Sequence, residues 1–266
     1  MGKIALIHCD FYSEVLNLST SMTVILPEQT QSQIGMKNKK VSDKHPTLYL
    51  LHGFSDDHTI WTRRTSIERY VSEMGLAVVM PNVHHSFYTD MEYGNRYWTF
   101  LTEELPEVAR SFFPLSEKRE DNFVAGLSMG GYGALKWALR YPEKFAAAAS
   151  LSGALDMAAR IEMENDGYDP FKLIFGDRDI ADTEDDLLWL LKQGDKKDQP
   201  RPRIYQTCGT EDFLYEANMT FKKVCDSTTY ELTTDFGPGD HNWSYWDQKI
   251  QDVLTWLPLG DSPPAR

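Results

Sequence analysis

Everything else in this 266-residue chain has to be reconciled with Gly126-Leu127-Ser128-Met129-Gly130. The residues before it, Asn122-Phe123-Val124-Ala125, are short and apolar and read as a buried strand. Those after it, Gly131 to Leu139, have helical composition, and the run stops at Tyr141-Pro142. A serine between two glycines, where a strand turns sharply into a helix, is the context of a nucleophile elbow. The turn pushes the serine into a strained backbone region, and small residues two places on either side let strand and helix pass close together. The serine oxygen then stands above the sheet edge, with the first helix amides aimed at the same point. A purely structural glycine-rich turn shares the bare pattern, so the rest of the chain must decide.

Around the elbow, strand and helix signals alternate. Phe11 to Ser13, Glu14 to Leu18 and Ser21 to Pro27 are strand pieces of a β-rich beginning, and Thr47 to Leu51 is an unbroken apolar run suited to a central parallel strand. Helical sequence at Ser66 to Val71 precedes a strand at Leu76 to Pro81. Trp98 to Phe113 has helical spacing with a kink expected at Pro106. Beyond the elbow helix come a small-residue strand ending at Leu151, a strand at Arg203 to Cys208, a helix at Phe213 to Val224, a last strand at Thr229 to Thr233 and a closing helix at Trp243 to Trp256. This order predicts one α/β domain over residues 1–266, with a mostly parallel sheet and helices on both faces. Residues 29–44 read as a polar loop, 156–198 as an irregular insertion near the sheet's carboxyl edge with one good helix at Leu187 to Leu191, and 258–266 as a frayed tail.

A serine hydroxyl needs a base to take its proton, and the base needs a third group to orient it. Of seven histidines, His241 is best placed, in the loop after the last strand and before the closing helix. Asp212 ends a turn directly after a strand, so Ser128, Asp212 and His241 run in the order serine, acid, histidine found in α/β-hydrolases. Glu211 is the near rival for the acid, followed by Asp235, and Asp240 adjoins the histidine too closely in sequence. For the developing oxyanion, the Met129 N–H at the helix start is one predicted donor. The Phe54 N–H in His52-Gly53-Phe54 is the other, with Ser55 as its alternative. His52 reads as a structural hydrogen-bonding residue. Tyr88, Tyr97, Trp98, Tyr132, Trp243, Tyr245 and Trp246 are pocket or core aromatics. His84-His85 lacks the spacing of a metal site, so neither metal nor cofactor is expected.

Composition narrows the partners. A net charge of −13 argues against nucleic acid or an anionic membrane surface, both of which need clustered Lys and Arg. Three cysteines in unrelated contexts form no disulfide framework, which fits a reducing compartment. The first residues carry no secretory pattern and no apolar run approaches a membrane span, so the expectation is a soluble cytoplasmic protein acting on a small molecule.

The chain resembles the esterase D-like branch of the α/β-hydrolases, and within it the bacterial tributyrin esterase group. The likeness is carried by Phe11 to Leu16, Tyr88-Thr89-Asp90, Glu103-Glu104-Leu105-Pro106, Gly126 to Gly133, Asp212 to Asn218 and His241-Asn242-Trp243. The resemblance implies a carboxylesterase for acetyl to butyryl esters, with Ser128, Asp212 and His241 as triad and Phe54 and Met129 as oxyanion donors. It also implies carbohydrate or aryl esters as candidate substrates and a homo-oligomer as a candidate assembly. The alternatives it leaves are an S-formylglutathione hydrolase-type thioesterase, whose histidine neighbourhood differs from His241-Asn242-Trp243-Ser244, and an acyltransferase on the same fold.

Overall fold

The computed structural model describes residues 2–29, 44–163 and 170–260. Its strands are β1 (Gly2–Ser13), β2 (Leu18–Gln29), β3 (Thr47–Leu51), β4 (Ala77–Pro81), β5 (Asn122–Leu127), β6 (Ala147–Leu151), β7 (Arg203–Gly209) and β8 (Leu232–Gly237). They form one sheet in the order β1-β2-β4-β3-β5-β6-β7-β8. β1 pairs antiparallel with β2, and β2 antiparallel with β4; every other neighbouring pair is parallel. The helices are α1 (Ile60–Arg64), α2 (Ile67–Val71), α3 (Tyr97–Thr99), α4 (Leu105–Phe112), α5 (Met129–Arg140), α6 (Met157–Met163), α7 (Pro170–Phe175), α8 (Leu187–Asp195), α9 (Tyr215–Cys225) and α10 (Trp243–Trp256).

The continuous apolar runs of β3, β4 and β5 are explained by burial on both faces. Successive side chains point to opposite sides of a strand, so β3 divides between two cores. Tyr49 and Leu51 join the core under α5, α8 and α9, while Leu48 and Leu50 join the one under α1, α2 and α10. The mostly parallel sheet with helices on both faces is as expected, with the catalytic candidates in loops beyond the strands' carboxyl ends.

Several boundaries differ from expectation for physical reasons. The piece at 14–18 is largely a turn, in which Asn17 takes φ +55°, and β1 runs back to Gly2. The last strand is displaced: Thr229, Tyr230 and Glu231 lie before it, and β8 spans Leu232–Gly237, pairing Ile204↔Leu232 through Gly209↔Gly237. Phe213 and Leu214 belong to the turn after Asp212, so α9 starts at Tyr215. Pro106 does not kink a helix from within. It sits in the first turn of α4, directly after a π-helical turn at Phe100–Glu104. Proline cannot donate to the Thr102 carbonyl, and the Lys144 ammonium donates to it instead at 3.1 Å. In the same turn the Glu104 carboxylate accepts from the Ser13 hydroxyl and, at 2.7 Å, from the Glu14 N–H. Two segments some 90 residues apart are thereby tied together.

The 156–198 region carries α6, α7 and α8, and residues 164–169 within it lie outside the described residues, as does 30–43 of the polar loop and 261–266 of the tail. Among the described residues no helix is long and apolar enough to cross a membrane.

Candidate active site

The elbow forms because nothing larger than glycine fits beside it. A Cβ on Gly126 would lie 2.3 Å from the Gly130 carbonyl oxygen, and one on Gly130 would lie 2.5 Å from the Leu51 carbonyl oxygen. With β5, α5 and the end of β3 in such contact, the chain reverses at Ser128, whose φ is +52° and ψ −117°. A non-glycine residue there is strained, and the surrounding hydrogen bonds hold it. The Ser128 N–H donates to the Leu151 carbonyl at 2.9 Å, and its own carbonyl accepts from Gly131 at 3.0 Å.

The other two members arrive on neighbouring loops because β7 and β8 are paired in register. After β7, the Asp212 carboxylate accepts from the Leu214 N–H at 2.9 Å, and its side chain is fully buried. After β8, His241 places Nδ1 at 2.8 and 3.0 Å from the two Asp212 oxygens and Nε2 at 3.1 Å from Ser128 Oγ. A carboxylate can only accept, so Nδ1 carries the proton and Nε2 is left as the acceptor of the serine hydroxyl. Burial alone would raise the Asp212 carboxyl, but hydrogen bonds from His241 and Leu214 hold it below the ordinary carboxylate range. The imidazole is packed between Phe213, at 4.5 Å between ring centroids, and Trp246, edge-on at 4.8 Å. Trp246 is itself fixed by its indole N–H, which donates to Ser152 Oγ at 3.1 Å.

The rival acids are occupied elsewhere. Glu211 is exposed and accepts from the Gly239 N–H at 2.6 Å, bracing the loop that carries His241. Asp240 accepts the backbone N–H of His241 at 2.7 Å. Asp235 lies within β8 and pairs with Lys249 at 2.6 Å.

Met129 is the first residue of α5, so its N–H has no acceptor within the helix. Phe54 lies in the loop after β3, which packs directly on the elbow: a Cβ on Gly53 would come within 3.8 Å of Ser128 Cβ. In that loop the Val83 N–H donates to His52 Nε2 at 3.1 Å, leaving Nδ1–H to donate to the Gly53 carbonyl at 2.7 Å. Burial keeps this imidazole neutral, its pKa lowered to about 4. Because a trans peptide is planar, holding the Gly53 C=O also sets the direction of the Phe54 N–H.

A cavity of about 570 Å³ opens over Ser128 and His241. It is walled mainly by Phe54, Phe87, Phe171, Phe213, Trp243 and Trp246, with Asp56 and Arg160 as its carboxylate and guanidinium among the described residues. Trp243 and Trp246 thus line it, whereas Tyr88, Tyr97, Trp98, Tyr132 and Tyr245 are buried core residues. Phe213, next to Asp212, could have been read from its position; Arg160, Phe171 and Asp56 reach the cavity only through tertiary packing. His85 stacks on Phe54 at 4.3 Å, and no group of metal-binding type occurs among the described residues.

Sheet order, strained serine and the serine–imidazole–carboxylate chain define an α/β-hydrolase with the arrangement of a serine hydrolase. The Esterase family model matches residues 13–257. An acetyl esterase of Caldicellulosiruptor saccharolyticus is 30% identical over 262 residues, covering 96% of this chain and 98% of that protein. The fluorophosphonate-binding serine hydrolase FphF of Staphylococcus aureus superposes with a TM-score of 0.86 at 37% identity, covering 97% of this chain and 99% of that one. An S-formylglutathione hydrolase, FrmB, of the same organism gives 0.83 at 37% identity over 97% and 100% of the two chains. The chain belongs to the esterase family and is an ester-hydrolysing enzyme.

Proposed function

We propose that the protein is a serine carboxylesterase that hydrolyses short-chain acyl esters, acetyl to butyryl, through an acyl-enzyme. Ser128 Oγ attacks the ester carbonyl while His241 Nε2 takes its proton and then returns it to the leaving alcohol. Asp212 holds the Nδ1–H tautomer and stabilises the imidazolium. The N–H groups of Phe54 and Met129 receive the negative charge on the carbonyl oxygen. Water, activated by the same imidazole, then cleaves the acyl-enzyme. The observation that carries this reading is the unbroken hydrogen-bonded chain from Ser128 through His241 to Asp212. The aromatic walls of the cavity and the acetyl esterase relative support a short acyl group.

A second reading, thioester hydrolysis of the S-formylglutathione type, is favoured by the likeness to FrmB. It uses the same acyl-enzyme and differs in the leaving atom. The test is hydrolysis of p-nitrophenyl esters from acetyl to dodecanoyl, run beside S-formylglutathione, with Ser128→Ala as control. A peak at short acyl chains that vanishes in Ser128→Ala supports the carboxylesterase. Faster turnover of the thioester than of every oxygen ester would favour the second reading. Placement in the tributyrin esterase group, a cytoplasmic location and self-association are parts of the same proposal, the location resting on three free cysteines that form no disulfide.

A further inference from the structure

The Phe54 and Met129 amides belong to different elements, the loop after β3 and the start of α5. An oxyanion hole works only if its donors converge on one point before the charge appears. Something must therefore fix the loop against the helix. The two backbones touch at Gly130, where a Cβ would lie 2.7 Å from the His52 carbonyl oxygen. That same oxygen accepts from the hydroxyl of Tyr88 at 2.8 Å.

Tyr88 is fully buried and held at every part. Its backbone takes φ +52°, in a segment where His84 and Phe87 also have positive φ. Its N–H donates to Ser86 Oγ at 3.1 Å, and its carbonyl accepts from Lys136 of α5 at 3.1 Å. Its ring lies on Gly133 of α5 so closely that a Cβ there would meet Cδ2 at 2.4 Å. One side chain thus rests on the elbow helix and grips the oxyanion loop. The peptide unit it grips is also packed against the Asp56 carboxylate, which a Cβ on Gly53 would meet at 2.9 Å. The next unit carries the Phe54 N–H.

Resting on the esterase reading above, we propose that Tyr88 is a positioning residue of the oxyanion hole. Its hydroxyl clamps the His52–Gly53 peptide to α5 and so sets the spacing of the Phe54 and Met129 donors. The residue touches neither substrate nor the reacting atoms. Its loss should act on the transition state, in which the oxyanion is formed, and leave ground-state binding nearly untouched.

The test compares wild type, Tyr88→Phe and a protein with 3-fluorotyrosine at position 88, each assayed below its melting temperature. The readouts are kcat and KM for p-nitrophenyl butyrate and inhibition by butylboronic acid, whose tetrahedral adduct with Ser128 occupies the oxyanion hole. For Tyr88→Phe, kcat is expected to fall roughly 10- to 100-fold, less than for outright loss of a donor. Boronate affinity should fall in parallel and KM should stay within about twofold. The fluorinated residue keeps its donor and should restore both. Unchanged kcat and boronate affinity in Tyr88→Phe would overturn the inference. So would a loss shared equally between KM and kcat and not rescued by fluorotyrosine, the mark of general loosening. Absence of ester turnover in the wild type would overturn the esterase reading and this inference together.

Discussion

At the residue scale, the decisive group is Asp212. Its carboxylate reaches both sides of the His241 Nδ1–H while its own position is fixed by the Leu214 amide. Asp212→Asn keeps the shape but offers an N–H toward Nδ1, turning the proton to Nε2, where it faces the serine. Loss of kcat on the order of 10⁴ is expected, as in other triads. Glu211→Gln should leave kcat close to wild type, since Glu211 accepts from the Gly239 N–H and the Thr210 hydroxyl and has no bond to His241 Nδ1. Steady-state kinetics of the two variants separates the assignments, and a near-normal Asp212→Asn would remove Asp212 from the triad. How much of this was legible in the sequence differs by residue. Ser128 announces itself because its constraint is local, a turn demanding glycine on both sides. Glu211 and Asp212 could be ranked but not separated, because which carboxylate faces the histidine depends on the β7–β8 register. Tyr88 is legible only as an aromatic and as part of the Tyr88-Thr89-Asp90 likeness, since its positioning role lies in a contact 36 residues away.

At the scale of elements, the ion pair between α5 and the segment before α8 is the sharpest test. Lys136 is 1% exposed in its side chain and lies 2.5 Å from an Asp185 oxygen, and its other bonds go to Tyr88 O and Thr89 Oγ1. Lys136→Met leaves the Asp185 charge largely buried, with Arg178 at 4.0 Å its nearest remaining cation. A loss of about 3 kcal/mol is expected, whereas adding Asp185→Leu should recover most of it, because an apolar pair needs no compensation. Urea unfolding of single and double variants measures both. A double variant as unstable as the single would show that the pair is not the source. Such tertiary pairs also explain where element boundaries were misread. The Thr229–Thr233 run has strand composition, but register with β7 starts the strand at Leu232. The apolar Ile4-Ala5-Leu6-Ile7 hides its alternation, so the first half of β1 was not recognised. In the π-turn before Pro106 the Thr102 carbonyl accepts from Lys144, which lies far along the chain.

For the whole molecule, the buried imidazole of His52 shapes the response to acid. His52 is enclosed where a charge is not tolerated, and its pKa drops from 6.5 to about 4; His58 and His84 are lowered in the same sense by burial. Above pH 6.5 His52 is neutral in both folded and unfolded chains and contributes no pH dependence. As pH falls below 6.5 the unfolded chain takes up the proton and the folded one does not, so stability drops, and the drop is complete near pH 4. At about 1.4 kcal/mol per unit, the displacement corresponds to on the order of 3 kcal/mol. Asp212 loses its contribution lower still, since its folded carboxyl titrates below the ordinary range, while burial pushes the Asp56 carboxyl up and works in the opposite direction. The Asp212 window therefore lies below that of His52, while His58, His84 and Asp56 are common to the wild type and to a variant at position 52. His52→Asn has a side-chain amide to replace the Nδ1–H bond to Gly53 and nothing to titrate. Urea unfolding between pH 7 and 4 should give a shallower decline for this variant, the two curves converging toward the acid end. Parallel curves would mean that His52 is not the titrating group. Convergence would tie the acid limit of the fold to the imidazole that holds the Gly53 carbonyl beside the proposed oxyanion donor Phe54, so that acid tolerance could not be gained there without remaking that loop.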